Sequence, residues 1–154
     1  MIFVPRDATN EQVLDIAHHW IDVLAREDYA ATFAALGYSL LYQCDCPGPE
    51  CIRNTIKHYR SPEFYPGVED FTVTNWRTAT GGNPTPIKKI TWYKPNDTRL
   101  RGALAIHLPL NGKWSDLLAD FVWFENKNLN EGFGFRLEEI GSPAQQQREY
   151  ENAP

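Results

Sequence analysis

Cys44, Cys46 and Cys51 are the only cysteines in the chain, and they fall within eight residues of one another, with His58 seven positions further on. Three thiolates and an imidazole make a tetrahedral zinc set, and Pro47-Gly48-Pro49 supplies a loop able to fold round an ion. Structural zinc loops, however, usually place their cysteines two to four residues apart in two separate pairs, which Cys-x-Cys-x4-Cys with a helical histidine does not. The spacing therefore predicts reduced, unligated thiols, with a Cys46–Cys51 disulfide as a further option. No cofactor is expected, and Cys44, Cys46, Cys51 and His58 are the residues that would hold a structural zinc.

Asp120 is the second candidate, because it stands between Ala119 and Phe121 in a run that is otherwise apolar. A carboxylate so placed is paired, or faces a cavity, or is neutralised by a raised pKa, and the last two conditions make a general base. The structural alternative is a bond to Arg136, a tyrosine or a backbone turn. His18 and His19 are neighbours on a helix and point about a third of a turn apart, so they cannot share an ion. Each is expected in an exposed four-residue pair instead, His18 with Asp22 and His19 with Asp15. Trp76, Trp92, Trp114 and Trp123 have faces that stack on ligands, but aromatic residues at strand spacing are expected in the core. No Ser-His-Asp order, glycine-rich phosphate loop or His-Glu-x-x-His helix is present in the sequence.

The elements that must position these residues follow from periodicity. Thr9 and Gln12 have the spacing of a capping box, and Val13, Ile16, Ala17, Trp20, Ile21 and Leu24 recur at helical steps behind them. Asp28 caps a second helix with Gly37 as its stop, and Pro49 opens a third whose apolar face is Ile52, Ile56 and Tyr59. Met1 to Pro5 reads as a stub strand. Phe71 to Thr78 reads as a first long strand and Ile87 to Tyr93 as a second. Leu104, Ile106, Leu108 and Leu110 alternate with small or polar residues, Asn111-Gly112 turns the chain back, and Leu117 to Glu125 and Phe133 to Glu139 continue an antiparallel meander. Trp114-Ser115-Asp116 reads as the loop joining two of these strands. Helices first and strands after predict an α+β domain, with N-terminal helices on a mostly antiparallel sheet of four to six strands. Residues 1–141 form this single domain, and residues 142–154 are a polar tail.

The segment LPLNGKWSDLLADF, with its successor ending in FRLEEI, resembles the C-terminal sheet of bacterial proteins in the nuclear transport factor 2-like (cystatin-like α+β) superfamily, including members of unknown function. The resemblance implies a strongly curved, cone-shaped sheet and frequent homodimerisation through its outer face. Superfamily enzymes resembling dehydratases, isomerases and polyketide cyclases use an acidic residue or a histidine inside the cone. On that resemblance the general-base role falls to Asp120 or His107, in a pocket drawing on Trp20, Tyr29, Trp76, Trp92, Trp123 and Arg136. Other members are immunity proteins that neutralise a toxin.

Composition narrows the classes further. A net charge of -5 with Lys88-Lys89 as the one basic pair disfavours nucleic acid, which needs clustered cations. Acidic charge would instead suit a basic partner protein. No apolar stretch approaches the length of a membrane span and no charged leader precedes one, so a cytoplasmic protein with no membrane partner is expected. The leading expectation is a binding module for a partner protein, of immunity type, and the alternative is a small-molecule lyase or isomerase.

Overall fold

The computed structural model describes residues 2–36, 48–126 and 132–143. Helix α1 (Asn10–Ala25) begins as its spacing predicts: the Gln12 N–H donates to Thr9 Oγ1 at 3.2 Å and the Thr9 N–H to Gln12 Oε1 at 2.8 Å. Both bonds satisfy donors that a helix start leaves without partners. Helix α2 (Tyr29–Ala35) is capped by Asp28, which accepts from the Ala31 N–H at 3.0 Å. The Trp20 indole N–H then donates to the Thr32 carbonyl at 3.1 Å and ties α2 to α1. Helix α3 (Pro49–Lys57) carries Pro49 in its first turn, where a missing N–H costs nothing. The expected stop at Gly37 lies outside the described residues.

Five strands, β1 (Phe3–Pro5), β2 (Lys88–Trp92), β3 (Leu100–Leu110), β4 (Lys113–Phe124) and β5 (Gly132–Gly141), form one antiparallel sheet in the order β1-β5-β4-β3-β2. The β3–β4 hairpin turns on Asn111 and Gly112, at φ 52° and 81°, the left-handed values that Asn and Gly adopt most readily. Register shifts at Leu100/Gly102, His107/Pro109 and Asp120/Phe121 interrupt the ladders, and such bulges bend strands, so the sheet curls into a half-barrel. At the second of these the Ser115 hydroxyl, fully buried, donates to the Leu108 carbonyl at 2.6 Å.

Cross-strand partners share a face, so pairing sorts the sheet residues into two sides. Leu104, Ile106, Ala119, Phe121, Trp123, Phe135 and Leu137 form the inner side, buried against the helices. Trp20 of α1 meets Phe121 edge-on at 5.2 Å, and Phe121 stacks on Phe135 at 4.9 Å. Such aromatic pairs add to the area they bury, and together they weld helix to sheet. The expected α+β architecture is thus the observed one. None of the described helices is long and apolar enough to cross a membrane.

Two expectations are corrected. Phe71 to Thr78 is not a long strand: only Val73 bridges Leu110, and the segment crosses the tip of the β3–β4 hairpin rather than running along it. Asn75 ends the extension, because its side-chain oxygen accepts from the Arg77 N–H at 2.9 Å and turns the backbone. Trp114-Ser115-Asp116, read as a loop, belongs to β4, since the two-residue turn at Asn111-Gly112 completes the reversal alone.

Candidate functional site

The space between α1 and the sheet holds Trp20, Phe121, Trp123 and Phe135, each at most 1% exposed. Trp20 and Trp123 therefore serve as core rather than as walls of a chamber. Tyr29 is half-buried against the same core, and burial raises its phenol pKa. Of the other residues assigned to a pocket, Trp92 is exposed on β2 and Arg136 lies on the outer side, where it donates to Glu138 at 2.6 Å and sits 5.3 Å over the Phe124 ring. Trp92 meets Trp123 edge-on at 5.0 Å, but Arg136 lies on the other side of the sheet, so the six residues do not all line one space.

Asp120 and His107 share the outer side of the sheet, away from the helices. His107 pairs with Leu118 and Asp120 with Ala105, two positions along the same strands, while the inner residues between them face α1. His107 is held by the loop before β2: its Nδ1 accepts from the Ile87 N–H at 2.9 Å, so the ring proton resides on Nε2. Asn83 Nδ2 stands 3.4 Å from the same nitrogen and donates to the Ser115 carbonyl at 3.0 Å. Burial lowers the pKa of His107, against a smaller upward pull from Asp116. Asp120 has its carboxyl pKa raised, first by burial and then by the like charge of Glu138. Arg136, the partner weighed for Asp120, donates to Glu138 instead, two residues further along β5.

Of the proposed zinc set, Cys44 and Cys46 lie outside the described residues. Cys51, on α3, is disulfide-bonded, which corrects its reading as a free thiol, and a sulfur so bonded carries no thiolate for a metal. His58 caps the C-terminus of α3. Among the described residues no group of three or more His, Cys, Asp or Glu side chains is disposed to hold a metal ion.

His18 is not in an exposed pair with Asp22. It is 8% exposed and stacks on Trp76, and Asp22 instead receives Arg77 in two hydrogen bonds of 2.9 and 3.0 Å. The Arg77 guanidinium also lies 4.3 Å from the Trp76 ring centre. Arg77 holds the Asp22 carboxyl below its ordinary pKa.

A second surface went unmarked by motif reading. Phe3, Ile87, Trp92 and Tyr93 are the large apolar side chains that remain exposed among the described residues, and three of them flank or end β2. Beside β2, Asn10 and Leu14 of α1 and residues Ile87, Lys88, Lys89 and Ile90 line an open cleft of about 540 Å³. The Trp92 indole N–H donates to Oδ1 of the cleft residue Asn10 at 2.6 Å. The signal was present in the sequence as Ile-Lys-Lys-Ile-Thr-Trp-Tyr-Lys, apolar residues interleaved with lysines, though only pairing shows that the strand is at an edge. Comparison with models of protein families, with curated proteins and with solved structures found no match in any of the three.

Proposed function

We propose that the chain is a nuclear transport factor 2-like domain that works as a non-catalytic binding module for a partner protein, of the immunity type. The observation that carries this reading is the packing between α1 and the sheet: among the described residues Trp20, Phe121, Trp123 and Phe135, each at most 1% exposed, lie in the space in which an enzyme of this shape would take its substrate. His107 is engaged by the Ile87 N–H, an arrangement suited to holding a loop. A homodimer through the outer side of the sheet, where Ala103, Ala105, Leu118 and Val122 are only part-buried, belongs to the same proposal.

The alternative, a lyase or isomerase, is favoured by Asp120 alone, whose raised carboxyl pKa suits a general base. Affinity capture with the intact tagged protein, followed by size exclusion, separates the two. A binding module retains a protein partner in fixed ratio, and Asp120→Asn and His107→Asn retain it equally. Failure to hold any protein, with a substrate turned over by the wild type and not by Asp120→Asn, would replace the module with the enzyme.

A further inference from the structure

Strand β2 ends the sheet, so one of its edges has no strand beside it among the described residues. Which backbone groups face that edge follows from the ladder. The His107 N–H donates to the Ile87 carbonyl at 3.1 Å and the Tyr93 N–H to the Arg101 carbonyl at 3.0 Å. Hydrogen-bonded positions alternate in an antiparallel pair, so residues 87, 89, 91 and 93 turn to β3 and Lys88, Ile90 and Trp92 turn outward. Three N–H and three C=O groups thus form an open template.

The side chains around the template are unusual for this molecule. Ile87, Trp92 and Tyr93 are each about two fifths exposed, at 40%, 39% and 41%. Lys88, Lys89 and Lys94 are also exposed. Among the described residues the cations in ion pairs are Arg6, Arg53, Lys57, Arg77, Arg101 and Arg136, and none of these three lysines is one of them. In a chain of net charge -5, this edge is a locally basic, apolar strip with room beside it in the cleft under Asn10 and Leu14.

We infer that the free edge of β2 binds an extended acidic segment of a partner protein, which adds to the sheet as a sixth, outermost strand. This rests on the partner-binding reading above and names its site. The main chain of the segment bonds to Lys88, Ile90 and Trp92, its carboxylates meet Lys88, Lys89 and Lys94, and its apolar residues lie on Ile87, Trp92 and Tyr93. Main-chain bonds provide affinity in this mode and alternate side chains provide selectivity. The basic partner suggested by overall charge is replaced by an acidic one, because contact is made where the local charge is positive.

The test is selection of displayed seven-residue peptides on the intact protein, followed by amide hydrogen exchange with the selected peptide bound. Lys88 and Lys94 lie on one face of β2 and Lys89 on the other, so enrichment of both Asp/Glu and apolar residues is expected on each face of the peptide strand. Binding should protect the amides of Lys88, Ile90 and Trp92, while Lys89 and Thr91 are protected with or without peptide. Lys89→Glu should weaken binding at least tenfold. Lys88→Pro removes an outward N–H, a place where an edge strand tolerates proline, and should abolish binding with the melting curve little changed. If Lys88→Pro unfolds the protein, Lys89→Glu and the exchange pattern decide alone. Selection of neutral or basic peptides, or protection elsewhere, overturns the inference. So does protection of Lys88, Ile90 and Trp92 in the free protein through pairing with a second copy. A protein partner captured equally by wild type and Lys89→Glu would sink this site and leave the binding module standing. No captured protein and no selected peptide would sink both.

Discussion

The imidazole of His18 lies flat on the indole of Trp76, with ring centroids 3.7 Å apart and planes 9° from parallel. Its Nε2 is buried with no hydrogen-bond partner among the described residues. A proton there would have neither water nor an acceptor, so burial is the first cause of its lowered pKa. Lys88 and Arg77 push the same way, and Asp15 and Asp22 oppose them more weakly.

A depressed histidine pKa fixes the sign of a pH effect. Above about pH 6.5 the ring is neutral folded and unfolded and adds no pH dependence. Below it the unfolded chain takes the proton more readily, so stability falls as pH drops from the unfolded pKa towards the folded one. His107, also lowered, acts in the same direction. Urea unfolding at pH 7.5, 6 and 5 should show declining stability, and His18→Gln should flatten the decline by up to ~1.4 kcal/mol per pH unit. An unchanged slope in the variant would mean that the buried ring is not the source.

Asp120 has the opposite sign. Its raised folded pKa means that its contribution is fully present below the unfolded value near 4 and is lost as pH rises through the folded one. Asp120→Asn removes the charge beside Glu138, so the variant should be more stable than wild type at pH 7 and gain little at pH 3.5. Thermal unfolding at the two pH values measures this. Destabilisation at pH 7 would mean that the carboxylate has a favourable partner.

How far the sequence reached depended on whether a feature was local. Thr9 with Gln12, Asp28, Pro49 and Asn111-Gly112 act within a few residues of themselves, and their helices and hairpin stand where the spacing put them. Phe71 to Thr78 has strand composition, but pairing is decided by what lies alongside, and there it meets only a hairpin tip. Similarly, the alternation around Asp120 and His107 placed them on strands without saying which side the helices cover. His18 carried no mark of burial, since its partner Trp76 is far away in the chain.

Tyr59 links α3's end to the start of β4 through a short hydrogen bond from its hydroxyl to Asp116. Burial, followed by that carboxylate, raises the phenol pKa well above its ordinary value, so the hydroxyl remains a donor at any working pH. The ring also packs edge-on to Tyr65 and Phe71, at 6.0 and 5.0 Å. Tyr59→Phe keeps the ring contacts and strands Asp116, and a loss of about 1–2 kcal/mol in chemical unfolding is expected. A loss under ~0.3 kcal/mol would show that water replaces the hydroxyl without cost.

Gly102 faces Trp92 across the β2–β3 ladder and lies directly beneath Trp123, whose ring meets Trp92 edge-on at 5.0 Å. A Cβ built on Gly102 would fall 2.0 Å from the Trp123 ring, which is fully buried and has nowhere to retreat. Gly102→Ala should therefore cost about 1–3 kcal/mol through overpacking and shift the tryptophan emission. Trp123→Leu alone should destabilise by leaving a cavity. The double variant is the informative one, because the space left by the indole accepts the new methyl group. Its loss should be smaller than the two single losses added together by at least ~0.5 kcal/mol, the coupling expected of residues in contact. Simple additivity would mean that the cost of alanine lies in the backbone at Gly102 and not against the indole.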